Sequence, residues 1–110
     1  MAKTDVIFYR TDNGTEPVRS WLQGLPKEEK QAIGGAILNI QYKWPDIGKP
    51  KVEMIDGIYC ARINHKGNQF RIFFVYIKPN IILIHGFFKK TEETPDKEKK
   101  IANERLKHLG

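Results

Sequence analysis

Along the chain the spacing of apolar residues switches between a period of two and a period near 3.6. Asp5-Val6-Ile7-Phe8-Tyr9-Arg10 is a short β-rich run, and it stops at Thr11-Asp12-Asn13-Gly14, a strong turn cluster. Val18, Trp21, Leu22 and Leu25 then recur at i, i+3, i+4 and i+7, the stripe of an amphipathic helix. Pro17 falls in its first turn, Thr15 or Asn13 is the expected cap, and Gly24 is the expected stop. Pro26 opens a second, longer helix with Glu28 and Glu29 in its first turn, where they suit the macrodipole. Ile33, Ile37, Ile40 and Trp44 mark its apolar face, and Pro45 ends it. Gly34-Gly35 inside this helix costs about 1 kcal/mol per glycine against alanine, so close approach of another element is expected there.

From residue 52 onward the period is that of strands. Val52 to Ile55 is short, and Asp56-Gly57 is a turn dipeptide that either pairs this piece back or kinks it into the next. Ile58 to Asn64, Gln69 to Ile77 and Ile81 to Phe88 form a three-stranded meander. Its connections are His65-Lys66-Gly67-Asn68 and Lys78-Pro79-Asn80. The nearly continuous apolar runs imply strands covered on both faces. Thr94-Pro95 starts a last helix with Asp96 and Glu98 in its first turn and Ile101, Ala102, Leu106 and Leu109 as its stripe. The expected fold is α+β, in the order β-α-α-β-β-β-α. An antiparallel sheet carries an N-terminal helical hairpin on one face. The first strand joins a sheet edge, and the C-terminal helix lies near the other face or an edge.

Composition adds three limits. At 110 residues, with 40% hydrophobic and 29% charged, the chain reads as one globular domain over residues 1–110. Cys60 is the sole cysteine, which excludes an internal disulfide or a CxxC metal site and fits a reducing compartment. Lys3, Asp5 and Arg10 leave no signal-peptide core, and the longest charge-free apolar run, Ile81 to Phe88, is too short to span a bilayer. A cytoplasmic protein away from membranes is expected.

Charge changes the picture more. Nineteen Lys and Arg against thirteen Asp and Glu give a net charge of +6, which points to a polyanion or an acidic partner. The excess lies in the second half. Between Ile58 and Lys90 stand Arg62, Lys66, Arg71, Lys78, Lys89 and Lys90, with His65 and His85, and no Asp or Glu. Alternation places Ile58, Cys60, Arg62 and Asn64 on one face of their strand and Arg71, Phe73, Val75 and Ile77 on one face of the next. In the third strand Ile81, Leu83, His85, Phe87 and Lys89 are expected to share a face. Arg62 and Arg71 flank one hairpin, and the third strand returns to the same end, so Arg62, Arg71 and either Lys89 or Lys90 cluster by topology.

The familiar catalytic signatures GxGxxG, GxxxxGK[ST], HExxH and GxSxG do not occur. The histidines are not spaced as a metal site, so no metal or cofactor is expected. Cys60, mid-strand among apolar neighbours, reads as a small buried hydrophobe. Two guanidiniums and an ammonium suit a phosphate. RNA cleavage by its own 2′-hydroxyl needs little more than such charge stabilisation and a proton carrier, for which His85 is a candidate. His65, Lys66 and Lys78 are the expected further contacts to RNA.

Ile58-Tyr59-Cys60-Ala61-Arg62, Arg71-Ile72-Phe73-Phe74-Val75, the run His85-Gly86-Phe87-Phe88-Lys89-Lys90-Thr91, and Thr94-Pro95 before a helix with Ala102 and Arg105-Leu106 together resemble the phage-derived Gp49-like group. That group lies in the RelE/ParE toxin superfamily, which also holds HigB-type toxins. The resemblance implies a RelE-like fold and the toxin of a type II toxin–antitoxin pair, acting as a ribosome-dependent, metal-independent endonuclease on mRNA. It also implies a cognate antitoxin of the HigA-like, helix-turn-helix kind. By the same resemblance Arg71, Lys89, Lys90 and Arg62 fall at the positions of the family's basic active face. The chain departs from the pattern at Cys60, where relatives usually carry Glu, and in having no tyrosine after Tyr76. The general acid and base then fall to His85 or a lysine. A gyrase-inhibiting toxin of the ParE kind and an inactive RNA-binding remnant stay open as alternatives.

Overall fold

The computed structural model describes residues 3–90 and 96–109, and it shows an α+β architecture: a five-stranded mixed sheet and three helices among these residues. Strand β1 (Asp5–Phe8) leads into helices α1 (Pro17–Gln23) and α2 (Lys27–Lys43). Strands β2 (Val52–Ile55), β3 (Ile58–His65), β4 (Asn68–Ile77) and β5 (Asn80–Lys89) follow, and helix α3 (Asp96–Lys107) closes the order. In space the strands run β1-β5-β4-β3-β2.

Two features differ from the expected order. Val52–Ile55 is a strand in its own right, so four strands, not three, follow the helical hairpin. And β1 lies parallel to β5, so the sheet is mixed where an antiparallel one was expected. Two helices separate β1 from the rest of the sheet, which gives the chain the length it needs to return in the same direction.

The β2–β3 and β3–β4 connections are two-residue hairpins. Asp56 and Gly57 have φ of +50° and +84°, and Lys66 and Gly67 have +51° and +83°. Both central residues at positive φ is the type I′ pattern, whose twist matches that of the strands.

The sheet has a core on each side. Val18, Ile33, Ile40, Ile63, Ile72, Phe74, Ile81 and Leu83 pack between the sheet and the hairpin α1–α2. Ile58, Cys60, Phe73, Val75, Ile82, Ile84 and Phe87 pack with Tyr9 and Ala102 on the face that holds α3. The C-terminal helix therefore covers the opposite face. Arg105 Nη1 donates to the Ile84 carbonyl at 2.9 Å, and its guanidinium stands 6.0 Å from the Tyr9 ring centroid. Thr94 and Pro95, expected to start this helix, lie outside the described residues.

The helix ends carry one correction. The residue before α1 is Glu16, with no side-chain cap, while Pro17 holds the first helical position. Thr15 and Asn13 spend their polar groups inside the preceding loop. Thr15 Oγ1 donates to Asn13 Oδ1 at 3.1 Å, and the Thr15 N–H donates to Thr11 Oγ1 at 3.1 Å.

Gly34 and Gly35 carry another. Both are exposed, and a Cβ on either would meet nothing within 4 Å. Among the described residues no element makes a close approach to them. The close approach is at Gly86 instead, where a Cβ would come within 2.5 Å of the Trp21 ring. No helix among the described residues is long and apolar enough to cross a membrane.

A β-bulge in β5 decides which side chains reach the α3 face. Phe73 pairs with His85 but Phe74 pairs with Leu83, so Ile84 is the extra residue. Ile81 and Leu83 consequently face the helical hairpin, while His85, Phe87 and Lys89 face the other way. The single shared face expected for all five residues is thus split in two.

Candidate polyanion-binding site

The register stacks three rows across the α3 face. Asn64, Gln69 and Lys89 form the outer row, and Arg62, Arg71 and Phe87 the next. Glu53, Cys60, Phe73 and His85 form the third, deepest toward the core. Alternation along each strand turns these residues to one side. Arg62 and Arg71 are therefore directly opposed, and Lys89 stands one strand and one row away. Of the two lysines, Lys89 is the one inside β5. Lys90 lies just past its end and is exposed.

Arg71 is only 6% exposed. Its Nη1 donates to the Phe70 carbonyl at 3.0 Å and its Nη2 to Gln69 Oε1 at 2.9 Å. Among the described residues no carboxylate lies within ion-pair reach of it. Burial holds its pKa below the usual arginine value, with Arg62 adding and Glu53 opposing. The group stays charged at neutral pH, because arginine does not deprotonate in proteins. The result is a desolvated cation satisfied by neutral acceptors. Gln69, its oxygen taken by Arg71, is left to present its NH₂ as a further donor.

Arg62 differs. Its Nη2 pairs with Glu53 Oε1 at 3.0 Å, and the other Glu53 oxygen lies 3.8 Å from Lys49 Nζ. Lys89 has its pKa lowered, first by partial desolvation and then by the Arg71 and Arg62 charges. Cys60, beneath these cations, is 1% exposed, and burial pushes its thiol up to about 11. Beside the two arginines opens a cleft of about 460 Å³, walled by Lys51, Arg62, Asn64, Gln69 and Arg71 among others.

His85 stands in the third row, stacked between Phe73 and Phe87. Its Nε2 lies 2.7 Å from Glu98 Oε1, and its Nδ1 lies 3.2 Å from Arg105 Nη1. The guanidinium can only donate, so Nδ1 accepts and Nε2–H donates to Glu98: a neutral imidazole of defined tautomer. Burial is the main reason its pKa is lowered, Glu98 opposing and Arg105 adding. Both ring nitrogens are thus committed to α3.

The remaining candidates lie elsewhere. His65 faces the helical hairpin, its Nε2 3.7 Å from Glu28 Oε2, and Lys66 Nζ pairs with the same oxygen at 2.8 Å. These pairs tie the β3–β4 turn to the start of α2. Lys78 sits in the β4–β5 connection, at the opposite end of the sheet from Arg71. Among the described residues no three His, Cys, Asp or Glu side chains gather as a metal would need.

Sequence reasoning missed Glu53, Lys51 and Gln69. A usable signal existed for the first: a two-residue hairpin at Asp56-Gly57 pairs Ile55 with Ile58, and counting back pairs Glu53 with Cys60. Gln69 and Lys51 gave no such signal, since their place depends on the Arg71 rotamer and on the loop before β2.

No curated protein sequence matches the chain significantly. A family model described as phage-derived protein Gp49-like (DUF891) matches residues 20–107, which takes in the end of α1, all of α2, strands β2 to β5 and α3. The chain belongs to the phage-derived Gp49-like family, a group related to toxins of the RelE and HigB type.

Proposed function

We propose that this protein is the toxin of a type II toxin–antitoxin pair, of RelE-like fold, and that it cleaves mRNA on the ribosome. The carrying observation is Arg71: a buried guanidinium satisfied by a carbonyl and an amide, at the wall of an open cleft. A cation desolvated in this way gains most from an anion that arrives later. The family relationship supplies the toxin class, and the cleft supplies the chemistry.

In the reaction we infer, the RNA 2′-hydroxyl loses its proton to water and its oxygen attacks the adjacent phosphorus. The bond to the 5′-oxygen breaks, leaving a cyclic phosphate and a 5′-hydroxyl. Arg71 and Arg62 stabilise the charge that builds on the phosphorane oxygens. Lys89, with its lowered pKa, gives a proton to the departing 5′-oxygen more readily than an ordinary lysine would. Lys90, at the exposed end of β5, adds to the field. His85 is committed to Glu98 and Arg105, so the proton role expected of it passes to Lys89. A cognate antitoxin of the helix-turn-helix kind is the expected partner, and the cytoplasm the expected site of action.

The test is induction of the wild type and Arg71→Ala in bacteria, with growth followed and mRNA 5′ ends mapped. Cuts inside translated frames with the wild type alone are expected. Growth arrest without new RNA ends, accompanied by DNA damage, would replace this reading with a ParE-like action on gyrase. No arrest at all would leave an inactive RNA-binding remnant.

A further inference from the structure

Glu53 is the acidic member of an otherwise donating cluster. It reaches Arg62 from the edge strand, its side chain is 17% exposed, and its contact uses one prong of the guanidinium, Nη2. Its second oxygen leans toward Lys49 rather than toward the arginine. Carboxylate and phosphate compete for the same planar donor fork. A phosphate held by Arg71 can therefore engage the full fork of Arg62 only by taking Nη2 from Glu53, and it meets the repulsion of that carboxylate as it does so.

We propose that Glu53 is an internal competitor of the nucleic-acid phosphate. It holds Arg62 in the free protein, weakens polyanion binding, and is displaced when the backbone of a single strand enters the cleft. This rests on the polyanion reading of the Arg71 site and adds to it a residue that sets the threshold for binding. The exchange is open to solvent, because Arg62 is 38% exposed, so a phosphate can reach it without unfolding anything. Glu53 has a second effect of opposite sign. Two guanidiniums directly opposed across a ladder repel, and the carboxylate relieves that repulsion in the absence of ligand. Glu53 thus supports the fold and opposes the ligand at once, which no purely structural residue does.

That opposition is what the experiment reads. Full-length wild type, Glu53→Gln, Arg71→Ala, Arg62→Ala and the Arg62→Ala/Glu53→Gln double variant are titrated with a fluorescent single-stranded DNA oligonucleotide. It lacks the 2′-hydroxyl and cannot be cut by the proposed reaction. Binding is measured at several salt concentrations, and thermal midpoints are recorded without ligand. Glu53→Gln is expected to bind about three- to tenfold more tightly, with a salt slope steeper by about 0.7 for each added phosphate contact, while its thermal midpoint falls. In the Arg62→Ala background the gain in affinity disappears. Equal or weaker binding by Glu53→Gln, with Arg71→Ala weaker than wild type, overturns the role of Glu53 and leaves the polyanion site standing. A gain that persists without Arg62 likewise overturns the competition for that residue. Binding by Arg71→Ala equal to that of wild type, or no binding by any variant, overturns the polyanion reading and this inference with it.

Discussion

Arg62 and Arg71 stand directly opposite one another in the β3–β4 ladder, and the buried one of the two is the one without a carboxylate among the described residues. Strand pairs normally avoid like charges in this position, and a buried cation is retained at a cost to stability. Replacing Arg71 by Met, similar in reach and uncharged, is therefore expected to leave stability unchanged or raise it by about 1 kcal/mol. Binding of single-stranded RNA should fall about tenfold or more. The urea midpoint and an RNA titration check both arms. A loss of more than about 2 kcal/mol would mean that Arg71 supports the fold rather than a ligand.

Two kinds of glycine give opposite predictions. Gly86→Ala drives a methyl into the Trp21 ring, and such overpacking costs about 1–3 kcal/mol. Gly34→Ala meets open space in mid-helix and should stabilise by up to about 1 kcal/mol. Denaturant midpoints of the two variants are expected to fall on either side of the wild type.

His85 links stability to pH. Its folded pKa lies below the ordinary value of 6.5, so the unfolded chain takes up the proton first as pH falls. Stability from this group is complete above pH 6.5 and declines as the pH drops from there through the folded pKa. Thermal melts between pH 8 and pH 5 should show this decline, and His85→Gln should flatten it. A slope unchanged in the variant would remove His85 as its source.

Cys60 should be chemically silent. A thiol raised from 9.0 to about 11 carries about 100-fold less thiolate at a given pH, and it is 1% exposed besides. Alkylation by iodoacetamide at pH 8, followed by intact mass, is expected to be at least about 100-fold slower in the native protein than in urea. Rapid labelling of the folded chain would place the sulfur at the surface of the cleft.

Much of this was legible in the sequence, for identifiable reasons. Period and turn chemistry place all three helices and the meander. The two-residue hairpin at Lys66-Gly67 sets Arg62 against Arg71 by counting alone. What stayed hidden depends on contacts between elements distant in the chain. Nothing local reveals that Glu53 answers Arg62, that Glu98 and Arg105 occupy both nitrogens of His85, or that Trp21 is the neighbour Gly86 accommodates. Gly34-Gly35 misled because a helix glycine was expected to mark close contact within the chain, and none is made there among the described residues. The parallel β1 was illegible for a related reason, since strand direction follows from where two helices deliver the chain.

Ile84, the surplus residue of β5, carries a constraint of a different kind from the side chains around it. Before it, odd-numbered positions look toward the helical hairpin, and after it they look toward the cleft. Its identity is negotiable, since any apolar side chain of similar volume would fill the same core. Its place outside the ladder is not. Were all the residues of β5 paired in plain alternation, the remainder of the strand would be inverted, carrying Lys89 to the wrong side of the sheet and turning Gly86 away from Trp21. The end of β5 therefore tolerates change of letter at Ile84 far better than loss of the bulge, and the cleft depends on which residue the ladder skips as much as on the chemistry of those it keeps.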